Sequence, residues 1–257
     1  MFDRHYSKSF DAELAAVRTR VLEMGGLVDS QLKQAVTAIV EGDLDLAETV
    51  IAADQAVNAL EVEIDEECIR MIALRAPAAA DLRLAITVIK TISDLERIGD
   101  EAERVARMVA RPEAAGLHPQ ILAELQVIGD LVRTMLHDAL DAFARNDPGQ
   151  AFETTIQDQA VDARYRELNR LLIRIMEDDP GSIPPGVAAL WAARALERIG
   201  DRCRNICEYV IYLVGGQDVR HTTVDEMRRA AGEARKRTGA AGADAEQTMK
   251  QQSKKGV

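Results

Sequence analysis

Aromatic residues are scarce in this 257-residue chain, at 4%. Glycine and proline are confined to a few points, while Ala, Leu, Glu, Arg and Met dominate, which favours an all-α protein. Cysteine is nearly absent. Cys68, Cys203 and Cys207 are few and odd in number, which excludes a disulfide framework and fits a reducing compartment. Cys203 and Cys207, four apart on one side of a helix, read as small buried hydrophobes, and two thiols with no histidine nearby make a poor zinc site. Histidine is limited to His5, His118, His137 and His221. None follows a glutamate at the Glu-x-x-His spacing of ferritin-like di-iron proteins. Basic charge is in deficit: the net charge of −11 argues against nucleic acid as the main partner and suits a protein that holds cations. Long apolar runs are missing too. "VAALWAA" at 187–193 is far too short to span a bilayer, and "MFDRHYSKSFD" has no apolar signal-peptide core. A cytoplasmic protein without direct membrane insertion is expected. No P-loop, GxGxxG, GxSxG or HExxH occurs, and no nucleophile stands with a base, so the chain does not read as an enzyme.

What is present is helical period. Phe10, Leu14, Val17, Val21, Met24, Val28, Leu32, Ala35 and Ile39 recur at three and four, the stripe of a long amphipathic helix. Gly42 is a stop and Asp43 a cap for the next start. A second series runs Leu46, Val50, Ala53, Val57, Leu60, Ile64, Cys68, Met71 and ends before Pro77. A third runs Leu84, Val88, Thr91, Leu95, Ile98, Ala102, Val105, Val109 and ends at Pro112. Three such helices with short loops make an antiparallel three-helix bundle.

The pattern then repeats. "MGGLV" at 24–28 matches "IGDLV" at 128–132, and "DQAVN" at 54–58 matches "DQAVD" at 158–162, both at an offset of 104. "LERIGD" occurs at 95–100 and again at 196–201, an offset of 101. Asp147 caps a helix of the second unit, with Pro148 at its first position. The reading is an internal duplication: two tandem antiparallel three-helix bundles over 1–112 and 113–221, and a disordered tail over 222–257 with no apolar period. Trp191 reads as core or loop packing.

The repeated hexapeptide carries two acids four apart. Residues i and i+4 of a helix point nearly the same way, so Glu96 and Asp100 form a ladder, as do Glu197 and Asp201. Both ladders lie about 140–180° from the apolar stripe of their helix. Asp54 with Asn58, and Asp158 with Asp162, are matching pairs on the preceding helices. If the two helices are antiparallel neighbours, each unit presents four oxygen-bearing side chains on an outer seam, a set suited to hard cations and, less selectively, to iron or zinc. A solvated face paired to Arg97, Arg104 and Arg107 is the plainer reading of one unit alone. Gly99 and Gly200 cost about 1 kcal/mol each inside a helix, which makes sense where a neighbouring helix or an ion must approach the backbone.

On "MGGLV", "EIDEECIR", "DLRLAITVIKTISDLERIGD", "LDAFARND", "ERIGDRCRNICEYVIYLV" and "GQDVRH", the chain resembles the PhoU family of bacterial phosphate-signalling regulators over nearly its whole length to His221. That resemblance implies a non-enzymatic repressor of the phosphate-starvation response. It would act with the ATPase of the phosphate-specific ABC transporter and with a sensor histidine kinase, and would form oligomers, commonly homodimers. It also implies multinuclear metal clusters held by paired E/D-x-x-x-D motifs. The ligand set it implies is Glu96, Asp100, Glu197 and Asp201 with Asp54, Asp158 and Asp162. Asn58 stands where the pattern has an acid. The metal is iron, zinc, manganese or magnesium, with no choice among them. A metal-dependent helical-bundle enzyme and a metal-free structural scaffold are the competing readings.

Overall fold

A computed structural model describes residues 3–111 and 116–237, with side chains from Phe10 onward. It contains α1 (Asp3–Glu41), α2 (Leu44–Arg75), α3 (Ala79–Val109), α4 (Pro119–Arg145), α5 (Pro148–Asp178) and α6 (Ile183–Gly215). A 3-10 turn at Pro180–Ser182 leads into α6, and residues 224–237 form a further helix, α7. No strand occurs among the described residues.

The helices start and stop where side-chain chemistry dictates. Gly42 takes a φ of +69°, open to glycine at little cost, and Asp43 then caps α2 by accepting from the Leu46 amide at 2.9 Å. Asp147 accepts from Gly149 and Gln150 at 2.9 and 3.1 Å and so opens α5, with Pro148 in its first turn. Gly216 ends α6 at a φ of +74°.

Three apolar stripes of the first unit converge as their spacing requires. Val21, Met24, Val28, Leu32, Val57, Ile64, Leu95, Ile98 and Val105 are all buried. Each fully buried Val, Leu or Ile contributes about 1.5–3 kcal/mol. Ala53 departs from the expected stripe and is exposed, because the buried line of α2 runs through Val50, Asp54 and Val57 instead.

Helices α1, α3, α4 and α6 pack on one another across the repeats, while α2 lies only on α1 and α3. The contact between α1 and α4 is reciprocal. A Cβ on Gly25 would stand 2.7 Å from the Leu140 methyls, and one on Gly129 would stand 2.7 Å from the Val36 methyls. At an offset of 104, Gly25 is the repeat mate of Gly129, and Val36 of Leu140. The two units therefore meet about an approximate two-fold axis, each supplying a glycine notch for the other's branched side chain.

The expectation of an unstructured segment after 221 fails for residues 224–237. Met227, Ala230, Ala231 and Ala234 recur at three and four and are buried. The Thr155 hydroxyl contacts the Met227 sulfur at 3.5 Å, and Arg237 donates to the Gly215 carbonyl at 2.7 Å. A stripe made mostly of alanines carries little hydropathy, but it lets a helix approach closely. The boundary expected at 112/113 and the tail beyond 237 lie outside the described residues. Trp191 is also not packed away: it is 58% exposed.

Candidate functional site: two acidic seams

The eight sequence-predicted residues gather as two sets of four. Asp54 and Asn58 of α2 lie beside Glu96 and Asp100 of α3. Asp158 and Asp162 of α5 lie beside Glu197 and Asp201 of α6. Mutual charge shows the proximity. Glu96 is raised to about 7 by burial, then by Asp100, Glu61 and Asp54, with Arg97 opposing. Asp158 is raised to about 6 by burial, then by Asp201 and Asp162, with Arg204 opposing. Asp100, Glu197 and Asp201 move upward for the same reasons, burial first.

The acids sit deeper than an outward face would place them. Asp54 and Asp158 are each 7% exposed and Glu197 is 9% exposed, whereas Asn58 and Asp201 are exposed. The neighbouring helix covers the flank of the LERIGD helix, so each ladder lines a groove edge and does not stand free. The two glycines make that closeness possible. A Cβ on Gly99 would meet Asp54 Oδ1 at 3.2 Å and Gln31 Oε1 at 3.1 Å, and one on Gly200 would meet Asp158 Oδ1 at 3.2 Å. In both repeats the glycine leaves room for an aspartate carboxylate against the facing helix.

The two seams are held differently. In the first, Gln31 of α1 donates to Asp54 at 3.2 Å and Asn58 donates to Asp54 at 3.0 Å. In the second, Arg194 pairs with Glu197 at 2.5 Å and Arg204 approaches Asp158 at 3.8 Å. Met135 stands at the repeat position of Gln31, so only the first seam has this amide. Glu61 is a further member of the first seam. It lies three residues beyond Asn58 and couples to Glu96 and Asp100, but its repeat mate is Tyr165, so the repeat does not point to it.

The donor set is all oxygen and mostly anionic, as hard cations require. Gln31 Oε1 and Glu197 Oε2 are buried acceptors with no hydrogen-bond partner, one in each seam, so each has lone pairs to offer. The residues thus fit a cation in donor chemistry. Among the described residues no three His, Cys, Asp or Glu side chains close around one ion; Gln31 and Asn58 donate to Asp54, and Arg194 and Arg204 pair with Glu197 and Asp158. The cysteines stand outside this chemistry: all three are buried, and burial pushes Cys68 up to about 12 and Cys203 and Cys207 upward.

A duplicated helical bundle with an acidic seam in each half defines a class, and the sequence matches it twice. The model of the PhoU domain family fits residues 21–109 and 125–210, and the chain belongs to the PhoU family. It is 48% identical over 223 residues to the phosphate-specific transport system accessory protein PhoU homolog of Pseudomonas putida, covering 87% of each chain. It is 47% identical over 225 residues to the accessory protein PhoU of Escherichia coli, covering 88% of this chain and 93% of that one. The crystal structure of PhoU from Pseudomonas aeruginosa superimposes with a TM-score of 0.78 at 47% identity, covering 81% of this chain and all of that one. The phosphate transport system regulatory protein PhoU from Streptococcus pneumoniae gives 0.77 at 34%, covering 82% of this chain and 99% of that one. No helix among the described residues is long and apolar enough to cross a membrane.

Proposed function

We propose that this protein is a non-enzymatic regulatory adaptor of phosphate uptake that represses the phosphate-starvation response when phosphate is plentiful. The observation that carries this reading is identity of 47–48% across both repeats to proteins named as accessories of the phosphate-specific transport system. A rigid bundle with no membrane-crossing helix among its described residues suits an adaptor that reaches the membrane through a protein partner. In this reading the partners are the transporter ATPase and a sensor histidine kinase, and the working form is a cytoplasmic homodimer.

The same reading assigns cations to the seams. Asp54, Asn58, Glu96 and Asp100 would hold one site, and Asp158, Asp162, Glu197 and Asp201 the other. The two orphaned acceptors support the assignment. A cation would supply positive charge between like-charged helices and lock α2 to α3 and α5 to α6. Iron, zinc, manganese and magnesium all remain within the donor chemistry.

The test of the regulatory role is genetic. Deleting the gene is expected to raise a phosphate-starvation reporter in phosphate-replete cells, and restoring the chain to silence it. Affinity capture from such cells should bring down the transporter ATPase and the kinase. An unchanged reporter sinks the adaptor reading.

A further inference from the structure

Helices α3 and α6 cross antiparallel, and their repeat relation makes each end of the crossing a control for the other. At one end Tyr209 of α6 donates to Asp94 of α3 at 2.9 Å, and Asp94 is 2% exposed. Lys90 lies 5.4 Å from the Tyr209 ring and 5.8 Å from the Tyr212 ring. Tyrosines, lysine and aspartate tie the helices together there. At the other end the offset of 101 replaces each member of that group: Met108 stands for Tyr209, Ala195 for Asp94, Trp191 for Lys90 and Arg111 for Tyr212. A cleft of about 460 Å³ is left open.

The cleft wall is basic. Arg104, Arg107, Arg111, Arg194 and Arg198 line it with Trp191, and its one acid, Glu101, accepts from Arg104 at 2.8 Å and Arg198 at 3.2 Å. At the opposite end the counterparts of Arg104, Arg107 and Arg194 are Asn205, Glu208 and Ser93. Four of the five arginines are thus peculiar to the open end, Arg198 alone having an arginine, Arg97, as its repeat mate, in a chain whose net charge is −11. Arg104, Arg107, Arg194 and Arg198 already pair with Glu101, Glu103 or Glu197, yet with Arg111 they present more N–H donors than those carboxylates engage, and an anion in the cleft would take up the remainder. The planar fork of arginine matches phosphate oxygens two at a time. Five forks, four on α3 and α6 and Arg111 just past the end of α3, exceed what a single orthophosphate engages. The volume falls within the range of about 300–1,000 Å³ typical of small-molecule pockets. Trp191 adds an exposed ring to the same wall, a surface on which a base can stack.

We infer that this cleft binds a nucleotide bearing two or more phosphoryl groups, with the phosphates on the cleft arginines and the base on Trp191. This site adjoins the second acidic seam and needs no metal. Arg194 is shared, since it pairs with Glu197 of the second seam.

The chain has one tryptophan, so the ligand would report its own arrival. Full-length protein in low salt with chelator is titrated with ADP, pyrophosphate and orthophosphate, followed by Trp191 fluorescence and by calorimetry. ADP is expected to quench saturably, to bind about fivefold or more tighter than pyrophosphate, and about tenfold or more tighter than orthophosphate. The double variant Arg107→Ser, Arg111→Ser should weaken ADP about tenfold while keeping helix content and Tm, as both residues are exposed. Trp191→Leu, read by calorimetry, should bring ADP down to the affinity of pyrophosphate. Absence of saturable ADP binding, ADP binding no tighter than pyrophosphate or orthophosphate, or a folded arginine variant that binds as the native chain does, overturns the assignment.

Discussion

Asp29 and Arg133 hold the same position in the two repeats, and they meet. Arg133 donates from Nε and Nη2 to the two carboxylate oxygens of Asp29 at 3.0 and 3.1 Å. An approximate two-fold axis brings a position face to face with its own mate, so identical residues there would repel or merely stack. The duplicated chain has resolved the clash by making one acidic and the other basic. Both side chains are about one-third exposed, so the pair contributes modestly. Either Asp29→Arg or Arg133→Asp alone should lower stability by about 1 kcal/mol, and the swapped double variant should recover most of it. A denaturant double-mutant cycle measures the coupling.

The glycine notches make a sharper prediction, because their occupants differ. Val36, facing Gly129, is β-branched, stiff at χ1 and 3% exposed. Leu140, facing Gly25, is half-buried and meets the notch with its flexible end. Replacing either glycine with alanine gains about 1 kcal/mol of helix propensity. Overpacking against Val36 costs about 1–3 kcal/mol. Gly129→Ala should therefore destabilise the chain, while Gly25→Ala should be near neutral. Comparison of urea midpoints checks the order.

The seam acids set a pH dependence of definite sign. Glu96 is raised from the ordinary glutamate range to about 7, and Asp158 from the aspartate range to about 6. Between about pH 4 and 7 the folded chain therefore holds protons that the unfolded chain has released, and stability falls as pH rises through that window. In chelator, Tm at pH 5.5 should exceed Tm at pH 8 by on the order of 2–4 °C, after allowance for the partial exposure of these groups. Glu96→Gln with Asp158→Asn should flatten the profile. A saturating divalent cation should flatten it too, by taking the place of the protons.

Much of this was legible in the chain. Helix limits followed from Gly42, Asp43, Asp147 and Pro148, whose effects are local. The pairing of Glu96 with Asp100 and of Glu197 with Asp201 followed from helical geometry alone. The depth of those acids did not, since it depends on how far the neighbouring helix rolls over their flank. Glu61 and Gln31 lay hidden because their repeat mates, Tyr165 and Met135, share none of their chemistry. The buried face of α7 was missed because three of its four positions are alanine, and alanine gives little hydropathy signal. Trp191 was misplaced by its type: a large ring defaults to the core until an open cleft gives it another use.

Under the proposed function, two seams of oxygen donors, one per repeat, hold cations on a regulatory bundle. The most direct test is elemental analysis of the full-length protein, purified after exposure to iron, zinc, manganese and magnesium and freed of loosely bound ions. The expected result is stoichiometric metal, with roughly half lost in Glu96→Ala, Asp100→Ala, half lost in Glu197→Ala, Asp201→Ala, and all lost when the four changes are combined. Native protein without stoichiometric metal, or a combined variant that keeps the full complement, would contradict it.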